Sequence, residues 1–441
     1  MFLKLFAFFA ASREKGLKEI EGTLPMRTVG LITEYNPFHN GHLHHLLESK
    51  RAADAEVAVA VMSGHFLQRG EPALADKWVR AEMALAAGVD VVVELPFPWA
   101  CNSAPHFALG AVQALNALGA VDALCFGSEA GEIEPLQRCV DLLLEREGEV
   151  AGGTAELLRQ GVNYPTARAR SVAGLDEEIA RALETPNNIL GIEYLKALRQ
   201  TASPIVPLTI PRIGAGYHDR QAAGSIASAT GIRAMLGEGR DPMSYLPEVC
   251  RPLLRRALED GRISDEGPLH LLLLAAIFRG RKTLQNIYQI EDGVENRLVE
   301  AAAESGSWES LVDAVKSRQF TRTRIQRLLM YVLNDVTRND MQTFLETGPL
   351  YLHLLGCSEK GRAFLAACRK KASLPVVSNY SRIYPTLKRF HGADSEAYCL
   401  AQRQLELELR ATRYYTLLMK NWTKNRNRDF FEEVRRDTGE E

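Results

Sequence analysis

Four histidines lie within seven positions, at 39, 42, 44 and 45, directly after an apolar run that ends at Thr33. Imidazoles at this spacing suit two kinds of chemistry. They can ligate a metal ion, or they can donate hydrogen bonds to a phosphate whose negative charge grows in a transition state. Zinc needs a further protein ligand, and no suitably spaced cysteine or acid follows. The pattern therefore favours a phosphate site, although the last two histidines also fit solvated helix positions.

The elements that must position these histidines are read from hydrophobic periodicity. Short apolar runs predict buried strands at residues 27–33, 56–63, 90–96, 121–128 and 204–211. Amphipathic stretches between them predict crossover helices at residues 41–55, 74–88, 103–119 and 186–200. We therefore expect an α/β fold with a Rossmann-like parallel sheet at 26–240, followed by a mainly α-helical domain at 241–441.

This topology gives the histidine segment a defined place. The sequence "HNGH" follows the carboxyl end of the first strand and enters the first crossover helix, where α/β sheets bind ligands and helix amides attract anions. Gly41 lacks a side chain that would keep a ligand from the backbone. His39 and His42 are the candidates for contact with a phosphate.

Composition sets wider bounds. The chain has 441 residues, 46% of them hydrophobic and 24% charged, with a net charge of −2, which is typical of a globular protein with about two domains. Seven cysteines without a CxxC pair favour a reducing cytoplasm over a disulfide framework or a zinc ribbon. No membrane and no protein partner is indicated. Residues 1–25 weakly resemble a secretory signal, but we expect translation to start at Met26 and exclude them from the fold.

A second motif, "IASATGIR" at 226–233, carries hydroxyls before an arginine. Ser228 and Thr230 would cap a helix, and Arg233 would grip phosphate oxygens in a fork. An ordinary capped helix is the simpler interpretation. With "HNGH" it resembles the paired signatures of the HxGH nucleotidyltransferase superfamily, whose members catalyse attack on the α-phosphate of ATP with release of pyrophosphate.

Longer stretches resemble one family more closely. "EYNPFHNGHLHH", "VMSGHFLQRGEPA", "FGSE", "PNNILG" and "IASATGIR" occur in the order typical of the tRNA(Met) cytidine acetate ligases, from about Arg27 into the helical part. This resemblance implies activation of acetate by ATP to acetyl-adenylate, then acetylation of the wobble cytidine of elongator tRNA(Met). Mg²⁺ is expected with ATP, although no acidic metal cage is visible in the sequence.

The resemblance also implies the site residues. His39 and His42 would be catalytic, by stabilising charge at the α-phosphate. The remaining predicted contacts to ATP are Ile32, Thr33, Glu34, Tyr35, Asn36, Pro37, Phe38, Asn40, Gly41, Leu43, His44, His45, Gly127, Asn187, Asn188, Arg212, Ser228, Thr230 and Arg233. Simpler roles stay open for some of them: a turn glycine for Gly127, helix capping for the two later asparagines, and a surface salt bridge for Arg212.

Basic segments of the helical part suit the anticodon, since RNA loops are held by cations and stacked on aromatic rings. The predicted tRNA contacts are Lys77, Arg322, Arg324, Arg327, Trp422, Lys424, Arg426 and Arg428. The segment after the second strand offers Ser63, Gly64, His65, Gln68, Arg69 and Lys77 to substrate or tRNA. Each charge run could equally be a solvated face.

Two other functions share parts of this pattern. A small-molecule adenylyltransferase would have both phosphate motifs, but it has little use for a long basic helical extension. A noncatalytic RNA-binding protein would keep the basic helices and could lose the histidines, which are present here. Acetate and tRNA(Met) themselves depend on the family resemblance alone.

Overall fold

The structure is a computed structural model that describes residues 26–183, 185–212, 226–291, 293–317 and 320–436. The expectations about residues 1–25 lie outside the described residues. Within them, no helix is both long and apolar enough to cross a membrane.

The five predicted strands are confirmed, each within two residues of its predicted ends. Three further strands occur in the second half of the chain. The strands are β1 Thr28–Thr33, β2 Val57–Ser63, β3 Val91–Leu95, β4 Ala123–Ser128, β5 Val206–Pro211, β6 Leu352–Cys357, β7 Val376–Val377 and β8 Arg435–Arg436. The middle strands β1 to β4 are almost entirely buried, as their continuous apolar sequences predict.

The strands form one sheet in the order β5-β4-β1-β2-β3-β6-β7, with β8 beside β6. Strands β1 to β5 are parallel to one another, and β6 runs antiparallel to β3. Chain order advances from β1 through β2 to β3 on one side, and from β4 to β5 on the other. The strand order thus reverses between β1 and β4, and a crevice for a ligand is expected outside their carboxyl ends.

Helices cover the sheet and build the second half. The α-helices are α1 Asn40–Ala52, α2 Lys77–Ala86, α3 Phe97–Ala100, α4 Ala104–Leu118, α5 Glu134–Glu145, α6 Glu147–Arg159, α7 Tyr164–Ala173, α8 Glu177–Ala180, α9 Pro186–Gln200, α10 Ala229–Gly237, α11 Arg251–Glu259, α12 Glu266–Ile277, α13 Arg281–Leu284, α14 Val294–Glu304, α15 Trp308–Val315, α16 Arg322–Leu333, α17 Arg338–Thr347, α18 Glu359–Cys368, α19 Ile383–His391, α20 Glu396–Leu417 and α21 Arg428–Phe431. The predicted crossover helices are α1, α2, α4 and α9.

Strand β6 was not predicted, because its six residues follow a helical stretch and carry no strand periodicity of their own. It pairs Val91 with Cys357 and Glu94 with His353, so the helical half supplies part of the central sheet. One apolar cluster runs from Val57 on β2 to Tyr415 on α20. The two halves therefore share a core, and the later half can fix the position of residues near the sheet's carboxyl edge.

Candidate active site

A cavity of about 320 Å³ opens at the carboxyl ends of β1, β4 and β5, on the reversal side of the sheet. Such a location is the expected ligand site of an open α/β sheet. Sixteen of the predicted residues line it: Ile32, Thr33, Glu34, Tyr35, Asn36, His39, Gly41, His42, His44, His45, Gly127, Asn187, Arg212, Ser228, Thr230 and Arg233. The structure thus brings together motifs that lie almost 200 positions apart in the chain.

Five predicted residues do not line the cavity. Phe38 is fully buried in the core, Pro37 is buried beside it, and Leu43 packs against the same apolar cluster. Asn40 donates from Nδ2 to the Ser244 carbonyl at 3.3 Å. Asn188 accepts a hydrogen bond from the Glu129 amide at 3.1 Å. Residues next to the motif in sequence therefore do not all line the cavity, because side chains along a turn and a helix point in different directions.

His39 and His42 are held by the start of helix α1. His39 is the N-cap residue, and its Nδ1 accepts a hydrogen bond from the Gly41 amide at 3.0 Å. The His39 amide in turn donates to Nδ1 of His42 at 3.3 Å. The two rings stack with centroids 3.8 Å apart. In a neutral imidazole whose Nδ1 accepts, the proton is on Nε2, so each ring keeps one N–H donor for a ligand.

Both rings are neutral near physiological pH. Burial, reinforced by the Arg212 and Arg233 charges, lowers the pKa of His39 from 6.5 to about 3. Burial and the neighbouring histidines hold the pKa of His42 well below its ordinary value. A neutral Nε2–H donor attracts a phosphate oxygen and adds no charge to a site that already has two arginines.

His44 and His45 also line the cavity, so the interpretation of both as simply solvated helix positions is wrong. Burial, reinforced by the Arg212 charge, lowers the pKa of His45 from 6.5 to about 4. The sequence spacing could have shown this, because positions 41, 44 and 45 fall on one face of a helix that begins at residue 40.

Three helix N-termini meet at the cavity. Helix α1 contributes the histidines, α9 contributes Asn187 from its first turn, and α10 begins after Ser228, whose hydroxyl accepts from the Gly231 amide at 3.0 Å. The positive ends of helices favour anions. Capping is therefore the observed role of Ser228, in addition to its place in the cavity wall.

The two arginines are held in different ways. Arg233 donates to the Asn36 carbonyl and to Glu71, each at 2.9 Å. Arg212 donates to Oδ1 of Asn187. A Cβ at Gly127 would lie 3.2 Å from Cγ of Arg212, so this glycine makes room for the arginine side chain and is more than a turn residue. Partners of this kind fix the orientation of guanidinium groups that face an anion.

A further part of the cavity wall comes from the loop after β2. Gln68, Arg69 and Glu71 line the cavity there, and the Gln68 amide donates to Oε1 of Glu34 at 2.7 Å. Burial raises the pKa of Glu34 above its ordinary value, and the nearby Glu71 raises it further. The Glu34 carboxyl group, with its raised pKa, therefore lies near the charges of Arg69 and Glu71.

Several contributors were not predicted. Phe107, Phe126 and Tyr194 form an aromatic part of the cavity wall. Asn187, Leu190 and Tyr194 follow the i, i+3, i+7 spacing of one helical face, so the sequence did contain a signal for Tyr194.

Arg80 was not predicted either, and it stabilises the backbone next to the site. Its guanidinium is fully buried and donates to the carbonyls of Glu34 at 2.7 Å and Ser63 at 3.0 Å, as well as to Gly64 and Ala75. One side chain thereby ties the carboxyl ends of β1 and β2 together. Nothing in the local sequence distinguishes Arg80 from a surface arginine of an amphipathic helix.

The structure contradicts a tRNA contact for Lys77. Its side chain is 0% exposed, and Nζ lies 2.8 Å from carboxylates of both Glu94 and Asp429. Arg428 is nearly buried as well and pairs with Asp76 at 2.6 Å. Lys77 connects β3 to helix α21, and Arg428 connects α21 to the start of α2, so neither is available to RNA.

The rest of the loop after β2 divides in two. Ser63, Gly64 and His65 are buried under helix α20, where the His65 ring stacks on Tyr415 with centroids 4.3 Å apart. Gln68 and Arg69 reach the cavity. The predicted substrate or tRNA contacts of the first three residues are therefore wrong for this fold.

The remaining basic candidates are accessible to different degrees. Arg322 pairs with Asp313 at 2.9 Å and with Glu309, and Arg324 pairs with Glu291. Arg327 donates to the Gln68 carbonyl at 3.2 Å, which places it against the loop that lines the cavity. The exposed candidates from the last segment are Trp422, Lys424 and Arg426, with the Arg426 guanidinium 5.8 Å from the Trp422 ring centroid.

In the described ranges, no group of three or more histidine, cysteine, aspartate or glutamate side chains is arranged to hold a metal ion. The acids of the cavity wall are engaged otherwise, Glu71 with Arg233 and Glu34 with the Gln68 amide. The cavity is thus rich in hydrogen-bond donors and cations, which suits a polyphosphate.

The fold and the cavity define a nucleotide-binding α/β protein of the nucleotidyltransferase class. A model of the HIGH Nucleotidyl Transferase family matches residues 26–429. The tRNA(Met) cytidine acetate ligase of Syntrophotalea carbinolica is 61% identical over 411 residues, which cover 92% of this chain and 98% of that protein. The protein of the same name from Caldanaerobacter subterraneus subsp. tengcongensis is 39% identical, over 93% of this chain and 99% of its own.

Solved structures agree with these relatives. Thermotoga maritima TmcAL bound with alpha-thio ATP superposes with a TM-score of 0.86 at 35% identity, covering 93% of this chain and 100% of that chain. Its apo form gives a TM-score of 0.88 at 36% identity with the same coverage. The chain therefore belongs to the tRNA(Met) cytidine acetate ligase family, within the HIGH nucleotidyl transferases. The predicted fold class and the predicted family are confirmed.

Proposed function

We propose that this protein activates acetate with ATP to acetyl-adenylate and transfers the acetyl group to the exocyclic amine of the wobble cytidine of elongator tRNA(Met), giving 4-acetylcytidine. The observation that carries the proposal is the cavity in which the neutral His39 and His42 face Arg212 and Arg233 at the switch point of the sheet. The membership of the chain in the ligase family supports the identity of both substrates.

In the first step, a carboxylate oxygen of acetate attacks the α-phosphorus of ATP, and the bond to pyrophosphate breaks. Negative charge accumulates on the phosphate oxygens and on the leaving group. Nε2–H of His39 and of His42 would donate to the α-phosphate, and the two arginines would neutralise the remaining phosphates. The histidines can act this way throughout the neutral range because burial keeps them uncharged.

In the second step, the cytidine amine attacks the acetyl carbon, the bond from that carbon to AMP breaks, and the amine loses one proton. An acyl-adenylate is already activated, so correct placement of the base can supply most of the acceleration. The loop with Gln68 and Arg69 forms another part of the cavity wall. We assign this wall to the acetyl and cytidine side of the cavity.

Magnesium is proposed to arrive with ATP and to be held mainly by its phosphates. The cavity has few free carboxylates, since Glu71 is paired with Arg233. Mg²⁺ commonly binds through phosphates and water with one or two protein ligands. Its contribution would be to offset charge on the leaving pyrophosphate.

We further propose that residues 241–441 hold the tRNA, with exposed Trp422, Lys424 and Arg426 among the contacts. An aromatic ring interleaved with cations suits RNA stacking and phosphate binding. A tRNA substrate and seven free cysteines, six of them buried, favour the cytoplasm as the site of action.

The first test is a pyrophosphate exchange assay with purified protein, ATP, magnesium and labelled pyrophosphate, with and without acetate. Acetate-dependent exchange, alone or after addition of tRNA, is expected. Acetate-independent AMP transfer to a small acceptor would instead indicate a small-molecule adenylyltransferase, and absence of any ATP chemistry in the presence of tRNA would indicate a noncatalytic RNA-binding protein. Acetylated cytidine in tRNA(Met), detected by mass spectrometry, tests the second step.

A further inference from the structure

A second concave surface lies between helices α19 and α20, away from the ATP cavity. It is an open groove with a volume of about 480 Å³, so a nucleotide of an RNA chain can enter it from the surface. The outer face of α20 supplies Arg410, Arg413 and Tyr414, and α19 supplies Tyr384. We call this surface the arginine–tyrosine groove. Glu406, Leu409 and Leu417 complete its lining.

The arginines of the groove differ from the basic residues that sequence patterns emphasise. Arg322, Arg324 and Arg428 are all paired with carboxylates. In the described part of the chain, by contrast, neither Arg410 nor Arg413 has a carboxylate partner within 4.0 Å. Cations without such partners keep their full charge for a ligand. Among the described residues, the groove therefore offers an anion two arginines outside any ion pair, which Arg322, Arg324 and Arg428 do not.

The tyrosines add a second kind of contact. Tyr384 is 37% exposed, and Tyr414 is half-buried beside the two arginines. Helix α19 and the residue before it carry three more exposed cations, Arg382, Lys388 and Arg389. Arginines for phosphates together with aromatic rings for bases are the combination by which proteins hold unpaired RNA.

Helix α20 connects the groove to the loop after β2. On the inner face of this helix, Thr412 lies 3.3 Å from Nδ1 of His65, and Tyr415 stacks on the same ring. His65 begins the loop that carries Gln68 and Arg69 into the ATP cavity. The groove and this loop are thus separated by one helix, whose diameter is about 10 Å. An RNA stem-loop is wide enough to contact both.

We propose that the arginine–tyrosine groove binds the tRNA substrate next to the wobble cytidine, with Arg410 and Arg413 on backbone phosphates and Tyr384 stacked on a base. This inference rests on the proposed function, since it takes tRNA as the substrate. It places the principal RNA surface on α19 and α20, whereas the sequence pattern placed it on α16 and the last basic segment.

The test measures binding of an unmodified elongator tRNA(Met) transcript over a range of salt concentrations. The double variant Arg410→Ala/Arg413→Ala should weaken binding roughly tenfold and reduce the slope of log K against log salt by about 1.4, because two phosphate contacts are lost. Tyr384→Ala should weaken binding roughly tenfold, and Tyr384→Phe should leave it unchanged, since the ring persists. The control Arg255→Ala removes an exposed arginine from α11, outside the groove.

Acetate-dependent pyrophosphate exchange without tRNA should be unchanged in the groove variants, which separates RNA binding from folding. If the double variant loses exchange, the single surface variants Arg413→Glu and Arg413→Lys decide the matter: the first should weaken binding more than Arg413→Ala, and the second should retain it. Wild-type affinity and salt slope in the double variant, or in Arg413→Glu, overturn the groove while the proposed function stands. A wild-type protein that forms acetyl-adenylate and binds no tRNA overturns the proposed function instead.

Discussion

Two loops of this protein start in the same way and end differently. The loop after β1 leads to His39 and His42, and the loop after β2 leads to His65; both lie at the carboxyl edge of the sheet. The first pair lines the ATP cavity, whereas His65 is 1% exposed beneath helix α20. Helix α20 comes from residues 396–417, more than 300 positions later. A position after a strand end therefore does not by itself make a histidine a site residue, because a distant element decides whether that position stays open.

The same contrast applies to charges. Arg212 and Arg233 are fixed by one or two neighbours and face the cavity. Lys77 is enclosed by Glu94, Glu408 and Asp429, where burial opposes its charge and the carboxylates nevertheless hold its pKa above the ordinary value. A cation of the first kind serves a ligand, and a cation of the second kind holds two parts of the chain together. The following predictions test this division.

The largest effect is expected for Lys77→Met. Removal of one partner from a buried ionic cluster leaves Glu94 and Asp429 without their cation, so the free energy of unfolding should fall by about 3–5 kcal/mol. Urea denaturation measures the loss, and Lys370→Met on the surface serves as the control. If Lys77→Met were as stable as the wild type and deficient only in tRNA binding, the assignment of Lys77 to RNA would be restored.

For His42→Ala we expect a large loss of activity with little loss of stability. Loss of one preorganised donor to the α-phosphate should lower the rate of acetate-dependent exchange by about 10² to 10³. The urea midpoint and tRNA affinity should change little, because one face of this ring lines a cavity. His65→Ala provides the comparison: it should lower stability and leave the exchange rate per folded molecule nearly intact. Equal losses of stability in the two variants would contradict the division.

Gly41→Ala probes how finely His39 is placed. A Cβ at this position would lie 2.8 Å from Cε1 of His39, so the ring must turn away and lose the Gly41 amide as its donor. We expect exchange to fall roughly tenfold with stability almost unchanged, since displacement of a positioned catalytic group costs rate before it costs fold. The control is Gly237→Ala, where a Cβ would meet nothing within 4 Å. Wild-type exchange in Gly41→Ala would show that the ring position is not critical.

The smallest effect concerns pH. The pKa of His45 is lowered from 6.5 to about 4, so between these values the unfolded chain binds a proton that the folded protein does not. The unfolding free energy should therefore fall as pH drops through this window, by about 1 kcal/mol for this residue at about pH 5.5. His45→Gln should remove that part of the pH dependence. Denaturation at neutral and acidic pH in both proteins checks this, and identical profiles would show that His45 is not buried neutral.

Much of the fold followed from the sequence because parallel strands have a strong local signal. The runs that became β1 to β5 are continuously apolar and are separated by stretches long enough for crossover helices, so the α/β class was predictable. Strand β6 was missed because "LHLLGC" is short and follows helices, and its partner β3 is some 260 residues away in the chain. Pairing over that distance leaves no periodic trace in either segment.

The site residues also divide into those that the sequence predicted and those that it did not. The motifs predicted the histidines, Ser228 and Arg233, because capping and strand-end geometry are local properties. They did not predict Arg80, since its function is to satisfy carbonyls of two separate loops. The sequence also predicted too many RNA contacts in the basic segments, because a run of Lys and Arg does not reveal which carboxylates will pair with it. Arg428 is the clearest case, with Asp76 lying 352 positions earlier in the chain.

By itself, the sequence determined the local chemistry of this protein: apolar strands, helix starts capped by His39 and Ser228, and a glycine that opens the approach to a phosphate. These follow from interactions among residues that are close along the chain. Only the tertiary structure decided which of the similar side chains remain accessible. Burial and ion pairing depend on segments that meet through the shared core, and so His42 faces a cavity while His65 and Lys77, equally suggestive in sequence, became part of the interior.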